Sequence, residues 1–453
     1  MKRRDAVKTI PVFGMSVLEF LDTAFAMKRV SQPLCLEYLA RVKKIIKKIQ
    51  STESDNLLEA SYQIARTHKN GGNCFCQWET GHSFDGDMFP GRHGDPEIFT
   101  MGYTMGTPSV EPKRGDLLII NVLRKPLEDP RKKGIFVIGG PTPWCADTER
   151  TDLLTETNQK LKIKKYSDIW INTHITTLGA LMWLPGETAP LGPTSGALGM
   201  VTYWAMIADA VRVLARDGVS LNVKGDEPEL GKNSPFVSLT NPLAEDYFEQ
   251  SLRQISQIEA EIGTVKLIAE AAVDRILSGG KLWVYSRYHE ALSAEARGKR
   301  GGLALINTTD TRDKNFKANG KDFMIMGIYQ PDDEVDLQKL QEFRKFGMKV
   351  ASIGPVTRDG IIPQGRTVPK ETDMHLGLMC DTYGLFAVPG IEKKVCPTSG
   401  LLVNLMFWAT IIRIAEEIIK RTGNTPGVLS TGALKGGGEQ RRKRTEMVKI
   451  RGY

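Results

Sequence analysis

The residues best suited to catalysis lie in the segment Glu79-Thr80-Gly81-His82-Ser83. A carboxylate can move a proton between adjacent carbons, and an imidazole can exchange protons near neutral pH, so Glu79 and His82 are the candidate catalytic pair. Gly81 would let a ligand approach the backbone closely, and Ser83 would donate to a ligand oxygen. The alternative for His82 is that it only orders its loop.

Two further segments could hold an anion, because each stands at the start of an apolar helical run. They are Pro193-Thr194-Ser195-Gly196 and Pro397-Thr398-Ser399-Gly400. The first N–H groups of a helix have no partner within the helix, and a ligand anion can bind there. Simple N-capping by the hydroxyls is the alternative. The candidate ligand-binding residues of these segments are Thr194, Ser195, Thr398 and Ser399.

Polar residues near other predicted strand ends complete the candidate set. In an open α/β sheet, ligands bind at the carboxyl ends of the strands. The further candidate ligand-binding residues are Arg124, His174, Arg287, His289 and Glu290. His93 lies in a glycine-rich segment and is expected to belong to a solvated loop rather than to a metal site.

These segments recur along the chain at a nearly constant offset. The two Pro-Thr-Ser-Gly segments lie 204 residues apart, two Gly-Gly pairs lie 208 apart, and His82 and His289 lie 207 apart. Three separate landmarks therefore agree within a few residues, which indicates a duplicated domain. A site would then lie where the two copies meet.

Each copy begins with helical periodicity and continues with short apolar runs. We expect two leading helices in each copy, the second of them near residues 57–67 and 265–277. Short apolar runs between charged and Gly/Pro-rich loops are typical of buried parallel strands. The predicted strands are 74–78, 117–122, 135–138 and 169–172 in the first copy and 282–285, 323–328, 349–353 and 374–378 in the second.

The order of these elements predicts an α/β fold with two tandem three-layer α/β/α domains. Each domain would contain a parallel sheet. We place the first repeat at residues 32–235 and the second repeat at residues 243–440. Residues 1–31 would form an N-terminal extension, and residues 441–453 a basic C-terminal tail.

In these landmarks the chain resembles the sugar isomerase (SIS) domain of phosphosugar isomerases and sugar-phosphate-sensing regulators. The resemblance runs once per copy over most of residues 32–440 and is nearest to a poorly characterised bacterial subgroup. It depends on the loop at 81–83, the Gly-Pro-Thr-Ser segment at 192–195 and the closing runs at 219–227 and 428–439. The resemblance implies a flavodoxin-like parallel sheet in each repeat. Because SIS domains normally form dimers, it also implies that the two repeats pack through their helices as an internal pseudo-dimer. Sites would then draw residues from both copies.

The resemblance also implies an isomerase-like enzyme that moves a proton next to the carbonyl of a sugar or sugar phosphate, without a cofactor. The alternative is a non-catalytic sugar-binding or regulatory protein. One departure concerns phosphate, because the segments 121–126 and 327–331 lack the serines with which SIS domains hold it. Arg124 could replace those hydroxyls electrostatically in the first copy. The second copy has also lost the glycine of the histidine loop.

Composition limits the classes of partner. The 453 residues are 25% charged with a net charge of +8, which is ordinary for a globular protein. Neither an aromatic-rich basic motif nor a helix-turn-helix pattern is visible, so nucleic acid is not an expected partner. The six cysteines show no metal-ligand spacing, and no metal site is predicted. The expected partner is a small sugar or sugar phosphate, and a further homo-oligomer is left open.

Residues 1–31 leave two locations open. Arg3-Arg4 and the apolar stretch after it are similar to a twin-arginine export signal, with a candidate cleavage site at Ala26. Glu19 and Asp22 interrupt that stretch, and an amphipathic helix is the alternative. A cytoplasmic location is the prediction, and export is the alternative. The apolar run 401–419 contains charged residues, so no membrane span is predicted.

Overall fold

The fold is that of a computed structural model. Residues 34–453 form one compact unit. The predicted N-terminal extension lies outside the described residues, so the export signal stays a prediction. The residues described are 32–78, 93–101, 110–123, 126–225, 230, 235–287, 292, 295–296, 300–309, 317–358 and 360–453.

Two five-stranded sheets form the framework, and every strand pair within them is parallel. The first sheet has the order β2-β1-β3-β4-β5, and the second has the equivalent order β9-β8-β10-β11-β12. The shared order supports the duplication inferred from the sequence. The strands are β1 Cys74–Gln77, β2 Phe99–Met101, β3 Leu117–Ile120, β4 Phe136–Gly139, β5 Ile169–Trp170, β8 Leu282–Ser286, β9 Ile306–Thr308, β10 Phe323–Gly327, β11 Lys349–Pro355 and β12 Met374–Leu378, and an antiparallel hairpin joins β6 Ala180–Met182 to β7 Leu191–Pro193.

All eight predicted strands are confirmed within a few residues. The strands β2 and β9 were not predicted, because three residues of mixed polarity carry too little periodicity to identify a strand. Each of them pairs with the first strand of its sheet and forms that sheet's edge. The α/β fold class is therefore confirmed, with one more strand per repeat than predicted.

A shared layer of helices covers one face of each sheet. The helices α1, α3, α4 and α8 pack against one another, and their buried side chains form one hydrophobic cluster with strand residues of both sheets. The expectation that the two copies pack through their helices is confirmed. The helices are α1 Leu34–Lys69, α2 Glu156–Gln159, α3 Ser195–Arg216, α4 Leu243–Ala260, α5 Ile262–Leu277, α6 Glu334–Lys345, α7 Val368–Glu371, α8 Ser399–Thr422 and α9 Gly437–Arg451.

The leading helices differ between the repeats. In the first repeat, the two predicted helices form the single 36-residue helix α1, because the polar segment at 50–56 contains neither glycine nor proline. In the second repeat the expected break is present: α4 ends at Ala260, and α5 starts at Ile262, just before Gly263. The prediction of two helices was therefore wrong for the first repeat and correct for the second.

The outer faces of the sheets are covered in different ways. Leu337, Leu340 and Phe343 of α6 pack on the outer face of the second sheet. On the first sheet, the matching cluster contains Leu161 and Ile163, which lie outside the α-helices. The three-layer arrangement is therefore clearer in the second repeat. The helix α9 runs across residue 440, so the segment expected to be a basic tail is helical up to Arg451.

The helix α3 has the length and apolarity of a membrane span among the described residues, with a mean hydropathy of 1.4 over its most apolar window. All of that window is buried inside the protein, as are 20 of the 22 residues of the helix. A helix that is apolar on every side and surrounded by other elements is a core helix. The apolarity of α3 is thus explained by its central place between the two sheets.

Candidate functional site

Seven of the predicted site residues lie outside the described residues, and six lie within them. Trp78 is the last described residue before the Glu79–Ser83 loop. It is buried, and its indole Nε1 donates to the carbonyl oxygen of Gly199 in α3 at 3.1 Å. Trp78 is thereby anchored beside the first turns of that helix. The predicted site residues outside the described ranges are Glu79, Gly81, His82, Ser83, Arg124, His289 and Glu290.

The start of α3 already holds a carboxylate, and that carboxylate comes from the second repeat. One oxygen of Glu295 accepts from the backbone N–H of Gly196 at 3.0 Å and from the hydroxyl of Ser195 at 3.2 Å. Glu295 is fully buried. A negative charge at this position is favourable, because the first N–H groups of a helix carry a partial positive charge. The anion expected at this helix start is therefore a side chain of the protein itself.

The other oxygen of Glu295 binds the second repeat's core helix. It accepts from Asn404 Nδ2 at 3.0 Å and from Trp408 Nε1 at 2.6 Å, both in α8. The Gly196 position also requires glycine, since a Cβ atom there would lie 2.8 Å from the first carboxylate oxygen. One carboxylate thus joins the start of α3 in the first repeat to the middle of α8 in the second repeat.

The start of α8 is occupied in a related way, by Asp381. The backbone N–H groups of Thr398 and Ser399 donate to the Asp381 carbonyl oxygen at 2.9 and 3.2 Å. The Thr398 hydroxyl accepts from the Asp381 N–H at 3.0 Å, and the Asp381 carboxylate accepts from Gln254 Nε2 at 2.8 Å. Thr398 and Ser399 are both fully buried.

The hydroxyls of Ser195 and Thr398, one in each Pro-Thr-Ser-Gly segment, therefore help to hold the fold together. Neither Thr194 nor Thr398 makes the side-chain hydrogen bond of a simple N-cap. Thr194 and Ser195 are buried like their counterparts in the second repeat. Direct contact between these four residues and a ligand stays a prediction, and the described side-chain hydrogen bonds give Ser195 and Thr398 a structural role.

His174 follows β5, as the sequence suggested, but its ring contacts α1. The imidazole Nε2 lies 3.0 Å from the hydroxyl of Thr52, and the backbone N–H donates to Asn172 Oδ1 at 2.9 Å. The backbone is left-handed there, with a φ of 50°. Burial lowers the pKa of His174, with the nearby Lys48 charge acting in the same direction and Glu53 opposing it. The ring therefore contacts α1, and its predicted contact with a ligand stays a prediction.

Arg287 lies at the carboxyl end of β8, where it belongs to a polar cluster. Its guanidinium donates to the Asp333 carboxylate at 3.3 Å, and Asp333 caps α6 by accepting from the N–H of Asp336 at 2.9 Å. Asp336 is buried and accepts from the hydroxyl of Tyr285 and from the N–H of Tyr329, each at 3.4 Å. Burial is the main cause that raises the pKa of Asp336 to about 7, with the Asp333 charge second.

His93 lies in this second-repeat cluster, although it belongs to the first repeat. Its ring centroid is 5.0 Å from that of Tyr329 and 5.5 Å from that of Tyr383. The residue is only 8% exposed, so the expectation of a solvated loop was wrong. Tyr383 in turn accepts from Arg358 Nε at 2.8 Å, and Arg358 lies 3.5 Å from Asp332. We call the residues His93, Arg287, Tyr329, Arg358 and Tyr383 the second-sheet site.

A corresponding contact lies at the end of the first sheet, but there the second repeat provides the inserted residue. Arg300 of the second repeat lies over the ring of Trp144, with its guanidinium carbon 5.0 Å from the ring centroid. His93 and Arg300 are 207 residues apart, the same offset as His82 and His289. The repeat offset could therefore have identified this pair, but neither residue type nor local pattern pointed to it.

Hydrogen bonds beside these two residues show the same exchange. The carbonyl oxygen of Gly94 accepts from the N–H of Cys396 at 3.1 Å, and that of Gly301 accepts from the N–H of Gly192 at 2.9 Å. Both donors have left-handed backbone, with φ of 62° and 82°. The first repeat thus places His93 against the second repeat, and the second repeat places Arg300 against the first.

A small cavity of about 10 Å³, room for about one water molecule, lies between the repeats. Its wall from the first repeat contains Trp144 and Leu178, and its wall from the second contains Arg300, Ser430 and Thr431. We call these five residues the first-sheet site, and their mixed apolar and polar surface is of the kind that lines small-molecule sites. Among the described residues, no cluster of three or more His, Cys, Asp or Glu side chains could hold a metal ion.

No family model matches the chain, and no curated protein matches it either. Solved structures of phosphosugar isomerases and sugar-binding proteins do resemble it at low identity. The C-terminal domain of glucosamine-fructose-6-phosphate aminotransferase from Francisella tularensis is 11% identical with a TM-score of 0.44, over 88% of this chain and 99% of that one. A candidate phosphosugar isomerase from Clostridium difficile 630 is 12% identical with a TM-score of 0.48, over 89% and 97%.

A shorter structure matches about half of the chain. The sugar isomerase domain of an RpiR transcription factor from Sphaerobacter thermophilus is 12% identical with a TM-score of 0.27, over 45% of this chain and 96% of that one.

Proposed function

We propose that the chain is a tandem SIS-type protein that binds a sugar or sugar phosphate at the carboxyl ends of its two sheets. One observation carries the proposal: each sheet end is completed by a residue of the other repeat, His93 at the second sheet and Arg300 at the first. Open α/β sheets bind ligands at these ends. A cleft between two domains also excludes water on binding more fully than a surface groove does.

The proposed reaction is the interconversion of an aldose and a ketose at the first-sheet site. The Glu79 carboxylate would take the proton from the carbon next to the carbonyl and return it to the neighbouring carbon through an enediol. His82 would exchange the proton between the two oxygens, so that no electron leaves the substrate and no cofactor is required. Ser83, Arg124 and Arg300 would position the sugar, and Trp78 fixes the start of the catalytic loop against α3.

A non-catalytic sugar-binding or regulatory protein is the second candidate. It is favoured by the extensive network at the start of α3, where Glu295 ties the repeats together and leaves the hydroxyl of Ser195 engaged. Such a connection would transmit ligand binding at one repeat to the other. A cytoplasmic location fits both candidates and remains a prediction, as does any further homo-oligomer.

The test is a thermal-shift screen of sugars and their phosphates, followed by NMR observation of proton exchange at the carbon next to the carbonyl. The enzyme predicts exchange that is lost in Glu79→Gln and in His82→Ala but kept in His68→Ala, a matched histidine control on α1. Full exchange in both of the first two variants would overturn the catalytic assignment. Binding without exchange in the unaltered protein would establish the second candidate instead.

A further inference from the structure

We propose that the second-sheet site takes an unphosphorylated sugar, either neutral or carrying an amine, and rejects the corresponding sugar phosphate. This inference rests on the proposed function and deepens it by naming the ligand class. It depends on what occupies the positions where a phosphate would bind.

The position for a phosphate at the second sheet is the turn between β10 and α6. Backbone N–H groups at such a strand-to-helix turn, together with the helix dipole, form the usual anion site of an α/β sheet. Here the N–H of Tyr329 donates to Asp336, and the N–H of Asp336 donates to Asp333. Donors that would otherwise bind a phosphate oxygen are thus engaged by carboxylates.

The arginines of the site do not give this turn a net positive charge. Arg287 lies 3.3 Å from Asp333 and Arg358 lies 3.5 Å from Asp332, so each guanidinium faces a carboxylate. Asp332 and Asp333 offset the two guanidinium groups, and Asp336, whose pKa burial raises to about 7, adds a further partial negative charge near neutral pH. A phosphate would have to displace a carboxylate or approach it, and like charges at such distances repel strongly in a partly buried site.

Two other helix starts are also engaged by groups of the protein. The Glu295 carboxylate accepts from the N–H of Gly196 at the start of α3. At the start of α8, the backbone carbonyl oxygen of Asp381 accepts from the N–H groups of Thr398 and Ser399. N–H groups at three helix starts that could hold a phosphate therefore already have partners within the protein.

The remaining surface of the second-sheet site fits a sugar ring. His93, Tyr329 and Tyr383 present aromatic surface, which packs against the C–H face of a sugar. Gln330 is 6% exposed, and its side-chain amide makes no hydrogen bond to the described residues. An amide that both donates and accepts is suited to a sugar hydroxyl. The excess of carboxylate would also favour an amine on the sugar.

The test compares fructose and glucosamine with their 6-phosphates by titration calorimetry on the full chain. We expect the free sugars to bind at least about tenfold more tightly than the 6-phosphates. Equal or tighter binding of the 6-phosphates that is lost in His93→Ala would place them at the second-sheet site and overturn the inference. Binding of none of the four would contradict the proposed function, and the next arm then decides the inference by itself.

That arm measures inorganic phosphate binding by thermal shift in three proteins. The variant Asp333→Ser/Asp336→Asn keeps an N-cap residue and the side-chain shape at residue 336 but removes two charges. We expect phosphate to raise its melting temperature and to leave the unaltered protein and the control Glu334→Gln unchanged. Glu334 is a suitable control because it lies in the same helical turn but is exposed. Equal stabilisation of all three proteins, or of none, would overturn the inference.

Discussion

The carboxylate of Glu295 accepts a 2.6 Å hydrogen bond from the indole N–H of Trp408, so residue 295 is tied to the middle of α8. Its other oxygen is bound at the start of α3 in the other repeat. Four donors therefore converge on one buried carboxylate. This arrangement links residue 295 of the second repeat to the core helices of both repeats.

The substitution Glu295→Ala should destabilise the protein by about 3–5 kcal/mol, because buried donors would lose their charged acceptor. Glu295→Gln should cost less, since one oxygen remains as an acceptor. The midpoint of urea unfolding measures both effects. Glu342→Ala is the control, because Glu342 pairs only with Lys339 at the surface and should change stability by less than about 0.5 kcal/mol. A cost at residue 295 no larger than that of the control would contradict the network.

Two glycine substitutions on helices should act in opposite directions. Gly196→Ala should destabilise the protein, because the new Cβ would lie 2.8 Å from Glu295 Oε1. Gly263→Ala meets no atom within 4 Å and should stabilise α5 by about 0.5–1 kcal/mol through helix propensity. Melting temperatures of the two variants check this pair. If both variants shifted the melting temperature in the same direction by similar amounts, the Glu295 carboxylate would be free to move away from the new Cβ atom.

Ser195→Ala should lower the free energy of unfolding by about 1–2 kcal/mol, because a buried hydrogen bond to Glu295 is lost. It should leave sugar affinity unchanged, since the hydroxyl is already engaged. Unfolding and titration calorimetry on the same preparation separate the two effects. A large loss of affinity at unchanged stability would instead identify Ser195 as a ligand contact, as the sequence suggested.

Asp336 should make stability fall as pH rises from about 4 to about 7. Its pKa is raised to about 7 by burial, so the folded protein binds more protons than the unfolded chain in that window. The groups facing it are Tyr285, Tyr329, Asp333 and Arg287.

Asp336→Asn should remove this contribution. The melting temperature of the variant should therefore increase relative to that of the unaltered protein as pH rises. Burial also raises the pKa of Glu187 to about 7. Glu187 is present in both proteins and should lower the stability of both similarly as pH rises, so it serves as the internal reference. Parallel pH profiles of the two proteins would show that Asp336 does not titrate in this range.

Local patterns were enough for most of the framework. Eight strands followed from apolar runs such as Leu117–Ile120, and the helix starts followed from the Pro-Thr-Ser-Gly segments. The short strands β2 and β9 were missed because three residues hold no periodicity. The break expected within α1 was wrong because polarity alone, without glycine or proline, does not end a helix.

The site was harder to predict because its contacts are long-range. The bonds from Ser195 and Trp408 to Glu295 span about a hundred residues in sequence, and nothing near Glu295 marks it as special. His93 was assigned to solvent from its glycine-rich neighbours, although the 207-residue offset to Arg300 connects both to the repeat. The pattern of residue types pointed to the carboxyl ends of the sheets, which stays a prediction for the ligand site, but not to the residues exchanged between the repeats.

The most direct test of the account is titration calorimetry of the tightest-binding sugar from the screen against His93→Ala and Arg300→Ala. These residues complete the two sheet ends from the opposite repeat. The account predicts that at least one variant binds that sugar about tenfold or more weakly, while both stay folded at the temperature of the titration. Unchanged affinity in both folded variants would contradict the claim that the sugar binds where the repeats exchange residues.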